Sequence, residues 1–172
     1  MSDQKLRRLV LSALFAALCT VMTLVIQIPS PVQGYVNLGD CAVLLSAWAL
    51  GPLYGGAAAG TGSMLADLLS GYPHYAPGTF VIKLSMAVLA GLLFRALRRE
   101  ELVRLLPAQL VSGALAEALM AAGYFGYACL WLGKGLAAAA SVPGNVVQGI
   151  FGLIAAGAVY AILDRSRALA RI

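Results

Sequence analysis

Along the chain, long apolar runs alternate with short polar breaks, and most of the runs have membrane-crossing length. They cover about 9–28, 38–53, 55–71, 79–95, 107–130 and 143–163. A helix needs about 20 largely apolar residues to cross the hydrocarbon core. The pattern predicts an all-α membrane protein of six transmembrane helices, one integral membrane domain over 1–172. The second run is short and ends at Gly51-Pro52, a turn signal; it either crosses or re-enters, and two crossings is the reading adopted. The first run has the basic flank of a signal peptide. It is too long for an h-region, however, and ends in Pro29-Ser30-Pro31 rather than a small-residue cleavage site, so a retained span is expected.

Composition strengthens this picture. The hydrophobic share is 61% and the charged share 11%, against about 45–50% and 25% in soluble domains. Six spans leave no room for a soluble catalytic domain, and nucleic-acid binding, disulfide scaffolds and disorder drop out. Ten of the 12 Lys and Arg residues lie in three groups: Lys5, Arg7 and Arg8; Arg95, Arg98, Arg99 and Arg104; Arg165, Arg167 and Arg171. Six crossings place all three groups on one side, which by the positive-inside rule is the cytoplasm. Both termini are then cytoplasmic, in a multi-pass protein of the cell membrane. Small residues at four-residue spacing, such as Gly55, Ala59 and Ser63, or Gly152 and Ala156, predict close helix packing.

No constellation for chemistry is present. One histidine and three scattered cysteines (Cys19, Cys41, Cys129) give no metal spacing. No Gly-rich loop carries the Lys-Ser/Thr needed to hold nucleotide phosphates, and no nucleophile adjoins a base. An enzyme is not expected, nor a self-powered ATP-driven pump.

Ionisable groups inside a bilayer are costly and mark sites by default. The candidates are Asp40, Asp67, Lys83 and Glu117, with Asn145 and Gln148 as polar companions. At 1.5 Å per residue, all but Glu117 fall in the outer third of the bilayer, and Glu117 lies deeper. Gly113, Glu117, Met120 and Tyr124 share one helical stripe; Ser63, Asp67 and Ser70 share another. Convergence on one ligand cavity open to the outside is expected. Asp67 and Lys83, at matched depth, either bind ligand or neutralise each other as a structural pair. Asn145 is either a ligand or a plain helix-start residue. His74 reads as an exposed loop residue, and Tyr35, Tyr72 and Tyr75 as interfacial aromatics or the roof of a pocket.

The ordered set Gly34-Tyr-Val-Asn-Leu-Gly-Asp40, Gly51-Pro52 with Gly55, Gly62 to Tyr72 (GSMLADLLSGY), Tyr75 to Lys83 (YAPGTFVIK) and Pro143 to Gln148 (PGNVVQ) resembles the substrate-binding S component of energy-coupling factor (ECF) vitamin transporters. The resemblance implies six helices that bind a water-soluble vitamin from outside under closing loops. It also implies a transmembrane scaffold subunit and two ATPase subunits as partners. ATP would be used by those partners, with no cofactor bound by this chain. Docking through Ala13, Ala16 and Ala17 on the first helix is implied as well. The stretch looks most like the subgroup assigned to pyridoxine or hydroxymethylpyrimidine; riboflavin and pantothenate stay open. Tyr35, Asn37, Asp40, Asp67, Tyr75, Lys83, Glu117, Tyr124, Asn145 and Gln148 are the expected ligand contacts, Glu117 for an amine and Lys83 for an anionic or carbonyl group. A competing reading is a small homodimeric proton-coupled transporter using Asp67 and Glu117. It expects repeat symmetry, and none is visible between the halves.

Overall fold

A computed structural model describes residues 3–29, 35–99 and 103–168. Within them lie six α-helices, α1 (Asp3–Val25), α2 (Gly39–Leu50), α3 (Pro52–Leu69), α4 (Ala76–Arg98), α5 (Leu105–Gly126) and α6 (Val142–Arg165), and two short strands, β1 (Gln27–Pro29) and β2 (Tyr35–Asn37). The strands form an antiparallel hairpin with Ile28 opposite Val36. The sequence reading expected only a polar connection here, because three-residue strands flanked by proline are too short to show alternation. The 5–6 connection, also read as a loop, continues α5 as a π turn (Tyr127–Trp131) followed by a 3₁₀ helix (Gly135–Ser141).

Four helical stretches are long and apolar enough to cross a membrane: Asp3–Val25, Ala76–Arg98, Leu105–Trp131 and Gly135–Arg165. The helix α2 is different. Its 12 residues rise about 18 Å, short of the roughly 30 Å hydrocarbon core. Eleven of them are buried, as expected of a helix that is apolar all round. It therefore sits inside the bundle, packed on α1, α3, α4 and α6. It stops at Gly51, whose φ of +82° is left-handed and suits glycine, and Pro52 opens α3 with a preset first turn. Arg95 donates from Nη2 to the Leu50 carbonyl at 3.3 Å, offsetting the negative end of the α2 dipole.

The helix α3 is held between α1 and α4 by its small residues. A Cβ placed on Gly62 would lie 2.3 Å from the Ala16 carbonyl oxygen, and one on Gly55 2.4 Å from that of Ser46. Thr20 adds a hydrogen bond from Oγ1 to the Gly62 carbonyl at 2.8 Å. Backbones this close give dispersion contact where lipid supplies no hydrophobic drive. We expect Gly62→Ala to cost about 1–2 kcal/mol through overpacking, seen as a lower Tm in detergent. Gly157→Ala, with nothing within 4 Å of the added carbon, should leave Tm unchanged or raise it slightly, alanine being the better helix former. Outward faces carry Leu9, Val10, Leu14, Leu115, Ile150 and Ile154, which suits a lipid solvent. Arg95, Arg98 and Arg165 occupy the last turns of α4 and α6, at the end of the bundle opposite the hairpin.

A polar cleft above a buried ion pair

At the hairpin end, α3, α4, α5 and α6 splay around a cleft. Its cavity volume is about 50 Å³. From the hairpin come Tyr35 and Asn37; from α3 and the following turn, Asp67 and Tyr72; Tyr75 and Thr79 come from the start of α4. The far wall is Tyr124 and Ala128, with Ser141, Asn145 and Gln148 closing the side.

The Tyr35 hydroxyl donates to Asp67 Oδ1 at 2.6 Å, and its ring lies 5.2 Å from that of Tyr72. Burial, and then the Asp67 carboxylate, push the Tyr35 hydroxyl well above the usual tyrosine range. The phenol therefore stays protonated and a donor through neutral and mildly alkaline pH. Asp67 is 6% exposed, and its Oδ2 has no hydrogen-bond partner among the described residues, although Thr79 lies against the same carboxylate. A buried acceptor oxygen without a donor is costly unless something supplies one. Tyr124 donates to Thr79 Oγ1 at 3.1 Å. Lys134 donates to the Tyr75 hydroxyl at 2.8 Å and lies 4.9 Å over that ring, while Gln27 Nε2 donates to Ser70 Oγ at 2.7 Å.

One turn deeper lies a charged network. Lys83 on α4 forms an ion pair with Asp40 Oδ1, both almost fully buried. Asp40 is in the first turn of α2, where a carboxylate also meets the positive end of the helix dipole. Gln148 donates from Nε2 to Asp40 Oδ2 at 2.6 Å, and its Oε1 accepts the Asn37 backbone N–H at 2.8 Å. The Asn37 side chain in turn accepts the Gly39 N–H at 2.8 Å. Hairpin, α2, α4 and α6 are thus tied through four side chains. Lys83 also lies 5.5 Å from the Tyr124 ring centre.

Seven of the expected contacts, Tyr35, Asn37, Asp67, Tyr75, Tyr124, Asn145 and Gln148, line the cleft. Asp40 and Lys83 lie beneath it. Glu117 lines a different cavity, between α5 and α6. Of the two readings of Asp67 and Lys83, the mutual pair is not formed and Lys83 pairs with Asp40 instead: the central position of α2 brings Asp40 against α4, and Tyr35 takes Asp67. Tyr72 and Tyr75 face the cleft, as a roof would. Thr79, Ala128 and Ser141 also line the cleft and were not among the expected contacts; Thr79, one turn before Lys83 on the same face, was recoverable. His74 is exposed and contributes its carbonyl to the Tyr127 hydroxyl at 2.8 Å. On α1, Ala13 and Ala17 are exposed, while Ala16 packs on Gly62.

A family model described as "ECF-type riboflavin transporter, S component" matches residues 3–165. The chain belongs to this family. A relative from Pyrococcus woesei, described as an uncharacterized protein in a gap 3′ region, is 36% identical over 147 residues, 85% of this chain and 94% of its own length. The solved S component of a bacterial ECF transporter superposes with a TM-score of 0.64 over 94% of this chain and 97% of that one. At 23% identity this shows a common fold. As an ECF S component, the protein belongs to a family of substrate-binding transport subunits, not an enzyme family.

Proposed function

We propose that this S component captures a small, planar, polar heterocyclic vitamin in the tyrosine-lined cleft, which opens to the outside of the cell membrane. A scaffold subunit and two ATPase subunits, docked in part on the Ala13 and Ala17 face of α1, supply the energy of import. The basic clusters at the opposite end support that orientation. The observation that carries the reading is the unpartnered Asp67 Oδ2 in a cleft of aromatic rings and amides: rings stack on a flat ligand, and the carboxylate takes its N–H or O–H.

Pyridoxine or hydroxymethylpyrimidine is the favoured ligand, since a cleft of about 50 Å³ suits a single ring better than a three-ring system. Riboflavin is the second reading, favoured by the family's description. Mass spectrometry of the molecule retained on gentle purification, followed by calorimetric titration with the three compounds, separates them. Binding of none would reject the cleft assignment. Proton-driven uptake by this chain alone in liposomes would reject the importer reading in favour of a secondary transporter. Tyr35→Phe should lower affinity about fivefold, the worth of one hydrogen bond, and native affinity should show no titration from this phenol across neutral pH.

A further inference from the structure

The connection between α5 and α6 is apolar where a water-covered loop is polar. From Ala128 to Ser141 its one charged residue is Lys134, and apart from that lysine and Ser141 every position is apolar or glycine. Leu130, Trp131 and Leu136 are 83%, 79% and 82% exposed, and no large apolar side chain among the described residues is more exposed than the two leucines. The other side of the segment is pinned to the bundle. Ala128 and Ala138 are buried, and the π turn and 3₁₀ helix pack on each other. Lys134 donates to the Tyr75 hydroxyl and Tyr127 to the His74 carbonyl. The connection thus has an inner face held by the protein and an outer face that the described residues leave open.

Depth decides what covers it. The helical stretch Leu105–Trp131 has 27 residues and rises about 40 Å. That is roughly 10 Å more than the hydrocarbon core, and close to the full thickness of about 40–45 Å with both headgroup layers. The stretch starts just after Arg104, in the basic group that marks one membrane surface. Trp131 therefore falls in the headgroup layer of the opposite leaflet, where an indole finds both an apolar contact and a partner for its N–H. The patch also continues the lipid-facing surface of Leu115 on α5 and of Ile150 and Ile154 on α6. We propose that Leu130, Trp131 and Leu136 anchor the connection in the interfacial layer of the cleft-side leaflet, against the glycerol and upper acyl region of phospholipid. The side chains enter by roughly 5–10 Å, as on interfacial helices. Tyr127, stacked on Trp131 at 6.4 Å and 13°, passes the hold to His74. The turn before α4, which carries Tyr75 into the cleft wall, is thereby fixed at the membrane surface.

The test uses the full chain in phosphatidylcholine nanodiscs, with Trp131 as the fluorophore. The chain has two tryptophans, and Trp48→Phe leaves Trp131 alone. If that variant does not fold, the emission of the native chain minus that of Trp131→Phe reads the same residue. Phosphatidylcholine brominated at the glycerol end of its acyl chains should quench Trp131 strongly. The same lipid brominated at the chain ends should quench it weakly, and so should aqueous iodide. Leu130→Ser/Leu136→Ser, which changes exposed side chains alone, should shift the emission to the red and raise iodide quenching severalfold while Tm holds. The proposal is overturned if iodide quenches Trp131 more than the brominated lipid does, or if chain-end bromine quenches as strongly as glycerol-end bromine. It is equally overturned if Trp131 is shielded only when two copies share a disc, the mark of a contact between chains. The emission readouts need no vitamin, so they stand whatever the cleft binds.

Discussion

Lys83→Met is expected to cost about 3–5 kcal/mol, the usual penalty for leaving a buried charge without its partner, and so to abolish or severely lower the yield of folded protein in detergent. Asp40 has no exposed surface and Lys83 only 2%, so water cannot take over the lost role. After the substitution Asp40 keeps Gln148 Nε2 and the Glu117 carboxyl beside it among the described residues, and no counter-charge. The double variant Asp40→Asn/Lys83→Met removes both charges together and should recover most of the lost stability, since a buried pair and its neutral replacement are often close in free energy. Asparagine at 40 still offers Gln148 an acceptor. Equal Tm for Lys83→Met and the native chain would show that the pair holds nothing together. Failure of the double variant to recover would show that the two residues act separately.

How far the sequence could be read follows from the same physics. A bilayer solvent leaves a strong hydropathy signal, so the helices α1, α4, α5 and α6 were legible as apolar runs, although α1 begins six residues before its run. The small-residue spacing of α3 correctly announced close packing. What hydropathy could not tell is whether an apolar run faces lipid or protein. That is why α2 read as a span, although its 12 residues are enclosed by other helices. The polar site was legible as a level, not as a set of partners. One-dimensional depth put Asp40, Asp67 and Lys83 together, but partner choice depends on the azimuth of each helix, and the hairpin that delivers Tyr35 to Asp67 has no signature in so short a segment. Glu117 was legible as unusual, being deeper than the rest. That its carboxyl lies between Gly149 of α6 and the Asp40 carboxyl is a contact between helices on which a single sequence is silent.

Asp67→Asn should weaken vitamin binding by roughly 10- to 150-fold, the range for losing one hydrogen bond to a charged group, with little change in Tm. The substitution keeps shape, and the amide oxygen still accepts the Tyr35 hydroxyl now held at 2.6 Å. The hairpin therefore stays latched. What changes is the second oxygen: an unpartnered acceptor becomes an NH₂ donor, which repels the ligand N–H or O–H it formerly received. The Asp40–Lys83 pair is untouched, so the effect separates from the stability loss of Lys83→Met by comparing affinity with Tm. Asp67→Glu, retaining the charge on a longer stem, should recover part of the loss if charge matters more than reach. Native affinity in Asp67→Asn would mean that the ligand sits elsewhere in the cleft and that Asp67 serves only to hold Tyr35.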